Sequence, residues 1–170
     1  MSLFTRRRML TTVGGAAALS PVAMRAGSAS AAATRSGLIT LPTPIRAFDS
    51  RTDTTLLGGD KIEAEESVIV TVGIPDEQRF LLSVFVNVTI TETEGAGFLT
   101  VFASDLSGKQ PMPETSNVNW SQDGQTLANL ALSGVGGESG VEIFCGGLGR
   151  THFIVDVQGY VPFEDLSQPT

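Results

Sequence analysis

Residues 82–91 read LSVFVNVTIT, and every second side chain from Leu82 to Ile90 is aliphatic. The residues between them are mostly polar, so the pattern repeats every two positions and not with the period of a helix. Valine, isoleucine and threonine are also residues that favour extended backbone. The stretch therefore predicts a β-strand with one face in the core, and it places Leu82 on that buried face.

Five weaker stretches show the same two-residue period, at residues 67–72, 98–102, 127–132, 141–145 and 151–157. Glycine-rich turns such as 94–97 and 146–149 separate them, because glycine supplies the positive φ that tight hairpins need. Residues 60–66 fit either one helical turn or an acidic approach to a strand. We expect an all-β fold with little helix, namely a single-domain antiparallel β-sandwich that is jelly-roll-like.

The first 31 residues differ in charge from the rest of the chain. They contain four arginines and no acidic residue, whereas residues 32–170 contain seven basic and 18 acidic residues. Thr5-Arg6-Arg7-Arg8-Met9-Leu10 precedes a mild apolar run that ends near Ala29-Ser30-Ala31, which is the order of a cleavable signal peptide. The paired arginines resemble a twin-arginine signal, which exports folded proteins, and the general secretory route is the alternative.

These patterns divide the chain into four segments. We predict a signal peptide at residues 1–31, a flexible leader at 32–43, the β-sandwich at 44–162 and a frayed tail at 163–170. Residues 38–45 are open to pairing at a sheet edge instead of remaining flexible. The predicted location is outside the cell, either secreted or associated with the cell wall.

The acidic body narrows the classes of partner. Without residues 1–31 the formal charge is −11, compared with −7 for the whole chain, and this disfavours binding to nucleic-acid phosphates. No apolar segment has the length of a transmembrane helix, so no membrane span is expected after cleavage. A single cysteine, Cys145, excludes an intrachain disulfide, and alternation with Ile143 predicts a buried, inert thiol.

Six short motifs occur in a familiar order, and they are listed here as they stand: Pro44-Ile45-Arg46-Ala47-Phe48-Asp49-Ser50-Arg51, Val86-Asn87-Val88-Thr89, Gly97-Phe98-Leu99-Thr100-Val101, Ser116-Asn117-Val118-Asn119, Gly124-Gln125-Thr126-Leu127-Ala128-Asn129 and Asp156-Val157-Gln158-Gly159-Tyr160. Together they resemble a β-rich module of secreted actinobacterial proteins, often repeated or fused to hydrolases and peptidoglycan amidases. The resemblance spans about residues 44–160 and implies secretion and fold more than an activity. One departure is Ser50, which stands where the module usually has threonine and keeps the hydroxyl.

A polar platform is the first candidate site. Asn117, Asn119 and Asn129 lie near strand ends, and Trp120, the only tryptophan, follows two of them. Exposed, these residues would bind sugar hydroxyls and stack on a sugar ring, and their oxygens are also compatible with Ca²⁺. Alternatively, the amides satisfy backbone groups and the indole fills the core. No cofactor or metal is predicted.

A second polar set has a structural interpretation. Asp49, Arg51, Asn87 and Asp156 are expected to form a polar network, with the Asp49–Arg51 pair making a charge-assisted tie to a neighbouring loop. His152 is the only histidine and could act as a general base. Asp156, four residues further along the same strand, is too distant to pair with it directly.

These observations lead to three functional hypotheses. The first is a secreted, non-catalytic binding module for cell-wall or extracellular polysaccharide. The second is a structural protein that self-assembles or mediates protein contacts at the cell surface, through a sheet edge or an apolar face that includes Phe85, Phe98 and Phe102. The third and most remote is a hydrolase that uses His152.

Overall fold

The computed structural model describes residues 37–74, 81–104 and 112–163. The predicted signal peptide and nearly all of the predicted tail lie outside these residues. The described elements, in chain order, are β1 (Ile39–Asp49), α1 (Thr54–Leu57), β2 (Glu66–Thr71), β3 (Leu81–Glu94), β4 (Gly97–Ala103), β5 (Val118–Trp120), β6 (Leu127–Gly134), a 3-10 turn (Gly137–Ser139), β7 (Gly140–Gly147) and β8 (Arg150–Pro162).

The strands form two four-stranded antiparallel sheets. Sheet 1 has the order β1-β8-β3-β6, and sheet 2 has the order β2-β7-β4-β5. With eight strands in this order, the chain crosses between the sheets at every connection except the one from β4 to β5. This is the double Greek-key arrangement of a jelly roll, so the predicted all-β antiparallel sandwich is confirmed.

The core lies between the two inner faces. From sheet 1, Val84, Val86, Val88 and Ile90 of β3 are completely buried. From sheet 2, Ile143 of β7 is also completely buried. Burying an aliphatic side chain of this size contributes about 1.5–3 kcal/mol, so the alternation that predicts β3 also supplies much of the stability.

The start of β3 differs from the prediction. Leu82 is 55% exposed, and Leu81 is buried in its place. The register with β8 shifts between Leu81 and Ser83, so the alternation that holds from Val84 onward is broken there. A shift of one residue moves a side chain to the opposite face of the sheet, and the linear pattern does not reveal where such a shift occurs.

The first strand begins earlier than expected. β1 begins at Ile39, so residues 39–43 are not a flexible leader but part of an edge strand paired with β8. The pairing is interrupted between Thr40 and Ile45, a stretch that contains Pro42 and Pro44. Proline cannot donate a ladder hydrogen bond and is tolerated at an edge, which explains why this strand resembles a leader in sequence.

The connection between β1 and β2 contains one helical turn. The turn lies before residues 60–66, which is where the sequence allowed one. The turn is α1, which begins where the Asp53 carboxylate caps the Thr55 N–H and ends at Gly58 in the left-handed conformation. Ile62 instead forms a β-bridge with Thr151, and the two residues exchange both backbone hydrogen bonds. Residues beside Ile62 therefore extend the edge of sheet 1 next to β8.

We expect Ile90→Ala to lower the free energy of unfolding by about 2–5 kcal/mol, because it leaves a cavity in a fully buried site. Leu148→Ala is the matched control, since Leu148 is 94% exposed. Chemical denaturation followed by circular dichroism measures both variants. Equal destabilisation by the two substitutions would contradict the assigned core.

Candidate functional site

Trp120 is part of the core and not of the surface. Its side chain is 5% exposed, and it packs so closely on Gly97 that a Cβ at that glycine would lie 2.5 Å from the indole ring. The indole N–H has no hydrogen-bond partner among the described residues. The ring is therefore unavailable for stacking on a sugar, and the ligand-binding role predicted for Trp120 is wrong.

Two of the three asparagines of the predicted platform are hydrogen-bonded to backbone. Asn117 Oδ1 accepts the Val101 N–H at 2.7 Å, which ties the start of β5 to β4. Asn129 Nδ2 donates to the Asn117 carbonyl at 2.7 Å and so links β6 of sheet 1 to sheet 2. Asn119 is exposed, and its Oδ1 accepts the Ser116 hydroxyl. Asn117 and Asn129 thus close one side of the sandwich.

Asp49 is the centre of a charged network at the end of β1. Its carboxylate accepts the Arg51 backbone N–H and two hydrogen bonds from the Arg51 guanidinium. Arg46 donates to Asp49 at 2.9 Å and also pairs with Asp156 on the adjacent strand β8. Hydrogen bonds from the Arg51 side chain, and secondarily its backbone N–H and the charges of both arginines, lower the pKa of Asp49 to about 2 although burial opposes this.

Asn87 lies beside this network but is not hydrogen-bonded to it. It is the cross-strand neighbour of Asp156, and its Nδ2 donates to Thr89 Oγ1 at 3.3 Å. Of the four residues predicted as a network, Asp49, Arg51 and Asp156 are linked through Arg46. Arg46 is within the first quoted motif, but only the pairing of β1 with β8 brings it to Asp156.

The contacts of Ser50 explain why the first motif has a hydroxyl group at this position. Ser50 is fully buried, and its Oγ accepts the Phe153 N–H at 3.0 Å and lies 3.0 Å from His152 Nδ1. Burial lowers the pKa of His152, which favours the neutral ring, and the contact with Ser50 occupies Nδ1 and not Nε2. A serine that is buried and hydrogen-bonded to backbone ties β1 to β8 and is not accessible to a substrate.

Cys145 lies in the core, and its environment suppresses thiolate chemistry. The residue has no exposed surface, and burial raises the pKa of its thiol to about 12. Within residues 37–74, 81–104 and 112–163, no three His, Cys, Asp or Glu side chains lie where they could hold a metal ion.

Among the described residues, the edge of sheet 1 at β6 pairs with no further strand. Residues 127–134 read LANLALSG, and they pair with β3 without a register shift from Leu127 to Gly134. Leu130 and Leu132 project from the outer face and are 56% and 61% exposed. An edge strand of this length without charge or proline presents free backbone groups beside apolar side chains.

A polar cleft lies at the end of the sandwich where β3 ends and β8 begins. It has a volume of about 620 Å³ and is lined by Leu56, Leu57, Asp60, Lys61, Glu63, Glu66, Glu94, Arg150 and His152. Glu94 accepts hydrogen bonds from Lys61 at 2.6 Å and from Arg150 at 2.7 Å, which lower its pKa. Sequence analysis missed this cluster because Lys61 and Arg150 are distant from Glu94 in the chain, and no local pattern connects them.

Comparisons of the chain with models of known protein families, with curated proteins and with solved structures find no match. Among the described residues, no helix is long and apolar enough to cross a membrane. The fold defines the class of protein, a jelly-roll sandwich, and two of its surface features without a structural role in the core are the β6 edge and the polar cleft.

We expect Asp49→Asn to destabilise the protein at neutral pH by up to about 2 kcal/mol, because a carboxylate with a lowered pKa favours the folded state. That stabilisation is present above the unfolded pKa, near 4, and is lost as the pH falls towards about 2. The difference between wild type and variant should therefore shrink in acid, as measured by urea denaturation over a pH series. Asp60→Asn is the control, and a pH-independent difference for Asp49→Asn would contradict the assignment.

Proposed function

We propose that the chain is an exported, non-catalytic structural module that self-associates through the edge of β6. The observation that carries the proposal is the eight-residue, uncharged and exposed strand at the end of sheet 1. Sheet edges of this kind pair with other strands unless a protein protects them. Here the leucines beside the edge provide apolar surface that pairing would bury.

The other three edge strands carry the protective features that β6 lacks. β1 contains two prolines and register shifts, and β5 is only three residues long. β2 begins with the charged residue Glu66. The residue before it, Glu65, is also charged and has a left-handed backbone conformation. Natural proteins use short length, proline, irregularity and charge to prevent edge pairing. Their absence from β6 supports selective pairing at this one edge.

A second copy of the chain is the partner that fits best. An antiparallel strand can pair with itself across a two-fold axis, and this would join two copies of sheet 1 into one continuous sheet. Leu130 and Leu132 of both copies would then lie side by side on the outer face. The body has a formal charge of −11, so identical copies repel except where the contact surface is neutral, as it is along β6.

The aromatic residues proposed for an apolar face contribute less than expected. Phe102 is buried, and Phe98 packs over Gly146, where an added Cβ would contact the ring. Phe85 remains on the outer face of sheet 1, directly opposite Leu132. The apolar surface available for association is thus formed by leucines of β6 with Phe85 beside them.

Wild-type protein should show a sedimentation coefficient that rises with concentration. A lysine on the edge strand should oppose this, because it places like charges together across the two-fold pairing. We therefore expect Leu132→Lys to raise the dissociation constant by at least about tenfold. Sedimentation velocity at several concentrations is the measurement.

Leu148→Lys is the matched control, because it adds the same charge at a leucine that is 94% exposed and outside β6. It should associate like wild type, and both variants should melt like wild type at low concentration. A wild-type monomer at every concentration would refute self-association. Equal association of both lysine variants would refute the β6 interface.

The export part of the proposal rests on residues 1–31, which lie outside the described residues. Arg6→Lys combined with Arg7→Lys should keep the protein in the cytoplasm of a bacterial host that has twin-arginine export, since that pathway depends on paired arginines. Arg25→Lys is the control and should leave export unchanged. Cell fractionation with immunoblotting measures the distribution, and unchanged export of the double variant would favour the general secretory route.

A further inference from the structure

We propose that the polar cleft lined by Lys61, Glu63, Glu94, Arg150 and His152 binds a neutral, hydroxylated ligand of the size of one or two sugar units. The proposal concerns the loop end of the sandwich and does not depend on the β6 interface. It places carbohydrate recognition away from Trp120 and its neighbouring asparagines.

Ion pairs connect four of the side chains that line the cleft. Arg150 bridges Glu94, at 2.7 Å, and Glu63, at 3.0 Å. Lys61 joins the same Glu94 at 2.6 Å, so four charged side chains hold one another in place. The backbone bridge between Ile62 and Thr151 joins the segments that carry Lys61, Glu63 and Arg150, and Glu94 is the cross-strand neighbour of Arg150. Side chains that already form ion pairs lose less conformational freedom when a ligand binds, which lowers the entropic cost of binding.

The lining combines the three kinds of contact that a sugar offers. Carboxylates accept hydrogen bonds from hydroxyl groups, while Lys61 and Arg150 donate to hydroxyl oxygens. His152 has Nδ1 engaged with Ser50, so Nε2 is the ring nitrogen that remains for a hydrogen bond with a hydroxyl group, which can both donate and accept. Leu56 and Leu57 form the apolar wall, which suits the C–H surface of a sugar ring. The volume, about 620 Å³, is within the usual range of small-molecule sites.

The charge of the lining selects against anions. Asp60, Glu63, Glu66 and Glu94 supply four negative charges, whereas Lys61 and Arg150 supply two positive charges. Asp60 and Glu66 have no ion pair among the described residues. A uronic acid or a phosphate would therefore be repelled, whereas a neutral hydroxyl group can donate to these carboxylates.

The test is isothermal titration calorimetry of the full chain with a panel of neutral oligosaccharides, namely maltohexaose, cellohexaose and chitohexaose, and with hexagalacturonate. At least one neutral oligosaccharide should bind, and the hexagalacturonate should bind at least about tenfold more weakly. Amide chemical shifts in NMR spectra should change at Arg150 and His152. Failure of all three neutral probes to bind, or equal binding of the anionic one, would overturn the proposal.

Two conservative variants test the location. Asp60→Asn and Glu66→Gln keep the shape of each side chain but remove the charged acceptor, and each should weaken binding by about tenfold. Glu142→Gln is the control, because Glu142 pairs with Ser67 on the outer face of sheet 2. Unchanged melting temperatures show that the variants are folded. Binding that survives both cleft substitutions, or that Glu142→Gln weakens equally, would overturn the assignment to this cleft.

The sugar-binding test and the self-association test give results that are independent of each other. Leu132→Lys changes β6 and leaves the cleft lining untouched, so it should bind the same oligosaccharide as wild type. Loss of sugar binding in that variant would contradict a cleft that acts within one copy of the chain. A monomeric wild type that still binds sugar would refute the proposed function and leave the cleft proposal intact.

Discussion

The structure depends on the burial of the inner face of β3 between two sheets. Its aliphatic side chains from Val84 to Ile90 are completely buried, and β3 pairs on both sides, with β8 and with β6. Because side chains alternate along a strand, the same geometry that buries these residues turns Phe85 and Asn87 towards the outer face. The positions of β8 and β6 follow from their register with β3.

Four polar residues of the quoted motifs take part in closing the sandwich. Ser50 ties the end of β1 to the backbone of β8 by accepting the Phe153 N–H. Asp49 accepts a hydrogen bond from Arg46, which in turn pairs with Asp156 of β8. Asn117 and Asn129 join the two sheets on the opposite side. A buried polar group is costly unless it is hydrogen-bonded, and the buried Asp49 and Ser50 both have hydrogen-bond partners. The motifs consequently describe the scaffold and not a ligand.

The proposed functions depend on two features that lie mostly outside the quoted motifs, the β6 edge and the polar cleft. The β6 edge is notable for the absence of charge and proline, and the cleft is formed by ion pairs between distant segments. The β6 edge offers backbone hydrogen-bonding groups and leucine side chains, and the cleft offers an array of hydrogen-bond donors and acceptors. They lie on different parts of the molecule, so a polymer in the cleft and a second copy at β6 could be bound together.

The amino-acid sequence alone determined the strand content, the turns and the all-β sandwich class, because a two-residue period and glycine turns are local properties. The strand order of the jelly roll came from the tertiary structure. The sequence did not determine that Trp120 is buried, that Leu82 is exposed or that Ile39 begins an edge strand. Each of these depends on which strand lies beside which, and a single register shift reverses the face of a side chain. Only the tertiary structure brought Lys61, Glu94 and Arg150 together, since electrostatic contacts depend on distance in space and not on separation along the chain.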